Sequence, residues 1–193
     1  MEIYLVRHTI TTADKTICYG QADVSVDIDQ FKLSLPGILP KLPALIDTIF
    51  SSPLIRCSFL TEQLVKEKYP MAVVKYDNRL KELNFGNWEL KKWDEINKQE
   101  LDKWMINFTT EKIPGGESNK ELHDRVISFW NKIKKQNKNC CIVTHAGVIR
   151  SILSVINDSA LDEAFTRYTI NYCDVVRITN IDKNLANFSY EFL

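Results

Sequence analysis

Two short apolar runs, Ile3-Tyr4-Leu5-Val6 and Cys140-Cys141-Ile142-Val143, constrain this chain more than anything else in it. Each is too short for a helix, is rich in β-branched and aromatic or small apolar residues, and does not alternate with polar positions. Both therefore read as strands covered on both faces. Each also runs directly into a histidine, through Arg7-His8-Thr9 in the first case and Thr144-His145-Ala146-Gly147 in the second. In an open parallel sheet the strand C-termini share one edge, so His8 and His145 are expected in a common crevice.

The segments between these runs alternate in the same sense. Residues Ile10 to Gln30 are polar and turn-like, a long connection on the edge where Arg7-His8 emerges. Phe31 to Ile46 carries Pro36, Gly37, Pro40 and Pro43, so any helix there is expected to be short or irregular. Asp47-Thr48-Ile49-Phe50 reads as a second strand, followed by Ser52 as a helix cap with Pro53 at the first helical position. The helix, from about Leu54 to Lys68, places Leu54, Cys57, Leu60, Leu64 and Val65 on one face and Arg56 in its first turn. A cation there opposes the helix dipole unless an anion is bound beside it.

Met71 to Tyr76 is a third strand, leading into the aromatic, glycine-containing loop Asn78 to Glu89, in which Glu82 and Glu89 flank Phe85-Gly86. Helical segments from about Leu90 to Phe108 suit an inserted cap, with the tryptophans mainly in the core. After Pro114-Gly115-Gly116-Glu117-Ser118 comes a helix with Leu122, Val126, Phe129, Trp130 and Ile133 on one stripe. It carries His123, whose i+4 neighbour, Ile127, is no ligand. A helix follows His145, and the chain closes with strands at about Cys173 to Ile181 and Ala186 to Phe192 around an Asp182-Lys183-Asn184 turn. The expected fold is a single α/β domain over 1–193, a three-layer sandwich. Its mostly parallel central sheet has an antiparallel edge, and a small helical cap is inserted at about 83–117.

Composition narrows the function classes. The 193 residues hold 25 Lys+Arg against 25 Asp+Glu, so nothing advertises nucleic acid or an anionic membrane as a partner. The five cysteines, at 18, 57, 140, 141 and 173, form neither a disulfide framework nor a CxxC pattern. No signal-type segment and no run of ~18 apolar residues is present, which predicts a reduced, cytoplasmic protein. No feature specifies an oligomeric state.

Two histidines with Arg7 and Arg56 at one sheet edge point to phosphate. The carboxylate that moves a proton would come from Glu82 or Glu89. A hydrogen-bonded histidine at a strand end is often only structural, but two of them with two arginines make the shared crevice the better reading. Metal binding is the rival for paired histidines. Two arginines would repel a divalent cation and no HxxxH or CxxC spacing occurs, so no metal and no cofactor is expected. There is no GxSxG elbow, Walker loop or GxGxxG turn.

The blocks Leu5-Val6-Arg7-His8-Thr9, Ser51-Ser52-Pro53-Leu54-Ile55-Arg56-Cys57, Leu80 to Glu89, Pro114 to Ser118 and Val143 to Gly147 are together similar to the histidine phosphatase superfamily. They resemble the branch containing phosphoglycerate mutases and small phosphatases, and they fall in the right order over nearly the whole chain. The resemblance implies that His8 is a nucleophile forming a phosphohistidine. Arg7, Arg56 and His145 would hold the phosphoryl oxygens, and Glu82 would protonate the leaving oxygen and then activate water. Thr9-Ile10-Thr11 stands where the family usually has Gly-Glu-Thr, Asp14 where an asparagine is frequent, and Leu90 where glycine commonly follows Trp-Glu. None of these removes a catalytic group, and Asp14 is expected to stay off a dianionic phosphate.

The short length, the Ile17-Cys18-Tyr19-Gly20-Gln21 loop and the compact cap look most like the α-ribazole phosphatases, which strip the 5′-phosphate from α-ribazole 5′-phosphate in cobalamin assembly. Tyr19, Phe85 or Trp88 would then stack on the base. The partner class is a small-molecule phosphate ester. The rival substrates are 3-phosphoglycerate in a mutase reaction and sugar phosphates or nucleotides in a broad phosphatase reaction. A non-catalytic phospho-ligand binding module is the rival of a different class.

Overall fold

A computed structural model describes residues 1–136, 138–181 and 187–193. Six strands, β1 (Glu2–Arg7), β2 (Thr48–Ser51), β3 (Val73–Tyr76), β4 (Cys140–Thr144), β5 (Val175–Asn180) and β6 (Phe188–Phe192), form one sheet in the order β3-β2-β4-β1-β5-β6. The β3/β2, β2/β4 and β4/β1 pairs are parallel, and β1/β5 and β5/β6 are antiparallel. The expected mostly parallel sheet with an antiparallel edge is thus the observed one. The Asp182-Lys183-Asn184 turn and Ala186 lie outside the described residues.

Because strand side chains alternate with period two, β1 sends Ile3 and Leu5 to one face and Tyr4 and Val6 to the other. The first face packs on α4 (Asn119–Lys134) and α5 (Ala146–Ile156), through Leu122, Val126, Phe129, Trp130, Val148 and Ile152. The second packs on α1 (Ile28–Ile38) and α2 (Ile55–Glu67), through Phe31, Ile38, Cys57, Leu60 and Leu64. Each fully buried side chain of this kind contributes about 1.5–3 kcal/mol of burial free energy, so the two faces lock the sheet between helical layers. No helix among the described residues is long and apolar enough to cross a membrane.

Three local expectations are corrected. The proline-bearing segment forms an eleven-residue helix, α1, that begins at Ile28 and runs through Pro36. Pro36 and Lys32, whose carbonyl loses its usual partner, both lie on the exposed side, where water can serve it. Ser52 does not cap α2. The cap position is Leu54, and the Asp23 carboxylate, from the loop before α1, accepts from the Ile55 N–H at 2.9 Å. A further short helix, α6 (Leu161–Arg167), lies between α5 and β5 where no periodicity signalled it. The segment before α4 is built largely of single 3₁₀ turns, with one regular helix, α3 (Lys98–Ile106). Ser118 caps α4 in a reciprocal capping box with Glu121.

Candidate active site

Register brings the two histidines together. Arg7 on β1 pairs with Thr144 on β4, so the next residue of each strand, His8 and His145, emerges at the same height of the sheet edge. The His8 N–H donates to the Thr144 carbonyl at 3.1 Å, and the two rings lie edge to face with centroids 5.1 Å apart. His8, Arg56 and His145 are 3%, 1% and 0% exposed. With Arg7 and Glu82 they line one cleft of ≈ 1190 Å³.

His8 Nδ1 lies 2.7 Å from the Thr9 carbonyl, which can only accept, so Nδ1 carries the proton and Nε2 keeps its lone pair. Burial lowers the His8 pKa well below its ordinary 6.5, with Arg56 and then Arg7 adding to the effect. The ring is therefore neutral at neutral pH, with the Nε2 lone pair unprotonated. His145 is likewise held neutral by burial first and Arg56 second. Arg56 Nε donates to His145 Nδ1 at 3.3 Å, and His145 Nε2 meets Ser52 Oγ at 2.9 Å, so both ring nitrogens are engaged within the protein. His145 in this geometry acts by orienting Arg56. Ser52, read from sequence as a helix cap, instead orients His145.

Arg56 is anchored further by the carbonyls of Ala22 at 3.0 Å and Gly20 at 2.5 Å. Three of its five N–H groups are used in this way, leaving two for an anion. Arg7 stacks on Tyr172, its Cζ 3.9 Å from the ring centroid, and donates through Nη1 to the Ile170 carbonyl at 2.6 Å. Tyr172 in turn shares a 2.6 Å contact between hydroxyls with Tyr19. Burial, then the bond to Tyr19, pushes its phenol up to about 12, so it stays neutral over this site.

The structure separates the two carboxylate candidates. Glu89 accepts from the Gln21 and Phe85 amides at 2.7 and 3.0 Å and so ties two loops together. Glu82 faces the cleft and accepts from the Gly147 amide, in the first turn of α5, at 3.2 Å, and from the Leu83 amide at 3.1 Å. Only glycine allows this approach, because a Cβ at 147 would stand 2.3 Å from Glu82 Oε1.

Sequence reasoning missed three residues here. Arg125 on α4 donates to the carbonyls of Arg79, Lys81 and Glu82 and pairs with Glu117 at 2.6 Å, so it holds the loop that presents Glu82. Nothing in its local pattern marks it. Tyr172 lies in a connection with no periodic signal. Arg150 follows Gly147 by three positions on α5, a spacing that could have placed it on the cleft face. Tyr19 and Phe85 line the cleft, whereas Trp88 is buried and donates to Glu100 at 3.1 Å, so it cannot stack on a ligand. His123 is half-buried on α4 away from the cleft. Asp14 is spent on Thr16 at 2.8 and 2.7 Å and does not line the cleft.

Two buried neutral histidines give a pH signature. Below about pH 6.5 the unfolded chain protonates them while the folded chain does not, so the unfolded state binds more protons and stability falls with falling pH until the lowered folded values are reached. The denaturation midpoint is expected to drop between about pH 7.5 and pH 5, before most carboxylates titrate, and the drop should shrink in His145→Gln. A midpoint that stays flat over that range would refute the neutral-histidine assignment.

The model of the family described as "Histidine phosphatase superfamily (branch 1)" matches residues 3–187. A protein of Hydrogenobacter thermophilus, provisionally named phosphoserine phosphatase 2, is 29% identical over 177 residues, covering 88% of this chain and 85% of its own. Phosphoglycerate mutase-like protein 4 of Arabidopsis thaliana is 31% identical over 169 residues, covering 82% and 72%. Among solved structures, the α-ribazole phosphatase from Shigella flexneri superposes with a TM-score of 0.88 at 18% identity, over 100% of this chain and 96% of that one.

Proposed function

The chain belongs to the histidine phosphatase superfamily, and from that premise we propose that it is a phosphomonoester hydrolase working through a phosphohistidine on His8, with α-ribazole 5′-phosphate as its substrate. The observation that carries the hydrolase reading is the His8 Nδ1 bond to the Thr9 carbonyl, which leaves Nε2 as a neutral nucleophile beside two arginines. His8 Nε2 bonds to phosphorus as the ester P–O bond breaks, and the departing oxygen takes the Glu82 proton. Water then attacks phosphorus and returns a proton to Glu82, the N–P bond breaks, and inorganic phosphate leaves. Arg7 and Arg56 supply the charge stabilisation that a kinase takes from Mg²⁺, and His145 completes the phosphate shell through Arg56. In this reading the whole chain is one domain, and residues 83–117 cap the cleft.

The substrate assignment draws on the cleft beyond Glu82, whose walls include Phe85, Trp93, Trp104, Phe108 and Phe165. Such a volume suits an aromatic alcohol half better than a three-carbon acid. The test is a side-by-side turnover assay with α-ribazole 5′-phosphate, phosphoserine, 3-phosphoglycerate and phenyl phosphate. The largest kcat/KM is expected for the first. A larger value for phosphoserine or 3-phosphoglycerate would overturn the substrate while leaving the chemistry in place.

A further inference from the structure

We propose that Arg150 is a third substrate-binding arginine, which grips oxygen acceptors on the alcohol half of the ester next to the bond that Glu82 protonates. The preferred esters therefore carry hydroxyl or ether oxygens beside the ester carbon. The inference rests on the hydrolase reading of the site and names a feature of its substrate class.

The placement follows from α5. Gly147 in its first turn holds the Glu82 carboxylate, and Arg150, three residues on, rises from the same helix face one turn later. Its Nε is pinned by the Tyr168 carbonyl at 2.9 Å, and its Cζ lies 5.5 Å from the centre of the Phe165 ring. The two terminal nitrogens have no hydrogen-bonding partner among the described residues, and the residue lines the same cleft as His8 and Glu82.

Phe165 also fixes which half of the ester Arg150 meets. Its ring packs on Phe108 at 5.2 Å, and Phe108 packs on Trp104 at 5.1 Å, so Arg150 stands where the catalytic groups give way to the aromatic wall. Arg7 and Arg56 already serve the phosphoryl side. A half-buried guanidinium with no ion pair among the described residues carries a desolvation cost that the nearby Glu82 carboxylate offsets only in part and Arg7 adds to, so its pKa is lowered. A pair of substrate oxygens matches its planar fork. A merely structural Arg150, tying α5 to α6 through Tyr168, would affect every substrate alike.

The experiment compares wild type with Arg150→Met and Arg150→Lys on α-ribazole 5′-phosphate, whose ribosyl group carries such oxygens, and on phenyl phosphate, whose leaving group carries none. Arg150→Met should lower kcat/KM for the first by roughly 10- to 100-fold, the range of a lost hydrogen bond to a charged group. Phenyl phosphate turnover and the inhibition constant of inorganic phosphate should change by less than about threefold. Arg150→Lys keeps the charge but not the fork and should recover only part of the loss. Equal losses on both esters, or weaker inhibition by phosphate, would overturn the proposal, and thermal melts show whether the variants are folded. Calorimetric binding of α-ribazole 5′-phosphate to His8→Gln with and without Arg150→Met reads the same contact without turnover. If wild type hydrolyses neither ester, the hydrolase reading fails, and this binding difference still decides the role of Arg150.

Discussion

The His8→Ala protein is expected to fold, to bind phosphate esters and to hydrolyse them more slowly than wild type by at least about 10⁴-fold, the scale on which removal of a covalent nucleophile acts. His8 makes few contacts that folding depends on. Among the described residues its ring bonds only its own neighbour's carbonyl and packs against His145 and Tyr172, while the backbone N–H that joins β1 to β4 is untouched by the substitution. Loss of a buried, desolvated imidazole also removes one of the groups that destabilise the fold in mild acid. Two measurements check the expectation: steady-state turnover, and rapid-quench trapping of labelled enzyme after mixing with a phosphorus-labelled ester. Wild type should carry acid-labile label and His8→Ala none. Surviving turnover with label on another residue would place the nucleophile elsewhere.

Glu82→Gln is expected to lower kcat by about 10²- to 10⁴-fold for alkyl esters, whose leaving oxygen needs a proton, and far less for p-nitrophenyl phosphate, whose leaving group departs as a stable anion. This contrast separates proton transfer from the second task of Glu82, which is to accept from Gly147 at the start of α5 and from Leu83. Glutamine keeps one oxygen acceptor for these amides, so only part of a capping contribution of about 0.5–2 kcal/mol should be lost. A purely structural Glu82 would slow both esters by the same factor. Equal losses on alkyl and p-nitrophenyl esters, with the melting temperature lowered, would therefore remove it from the role of proton donor.

Much of the site was legible before the fold was known, because its members sit at junctions that local chemistry announces. Apolar runs end at Arg7-His8 and at Thr144-His145, and a helix begins just before Arg56. What local chemistry could not supply were contacts made across the chain. The choice between Glu82 and Glu89 depends on which carboxylate meets the α5 amide and which meets the Gln21 amide. Ser52 was misread for the same reason, since its place in the sequence suits a cap but its hydroxyl is taken by a histidine 93 positions away. Pro36 misled in the opposite direction, because on an exposed helix face its cost is carried by solvent.

By itself the sequence determined the strands, most of the helices and the sandwich class, and it marked His8, Arg7 and Arg56 as candidates for one sheet edge. Burial on two faces and helical spacing are properties of neighbours along the chain, and they survive without any knowledge of packing. The tertiary structure alone decided the strand order that puts β4 beside β1, the tautomers of His8 and His145, the Arg125 clamp on the Glu82 loop and the free fork of Arg150. Those depend on hydrogen-bond partners far apart in sequence, Arg56 and His145 being 89 positions apart, and such partners exist only once the two core faces have been packed.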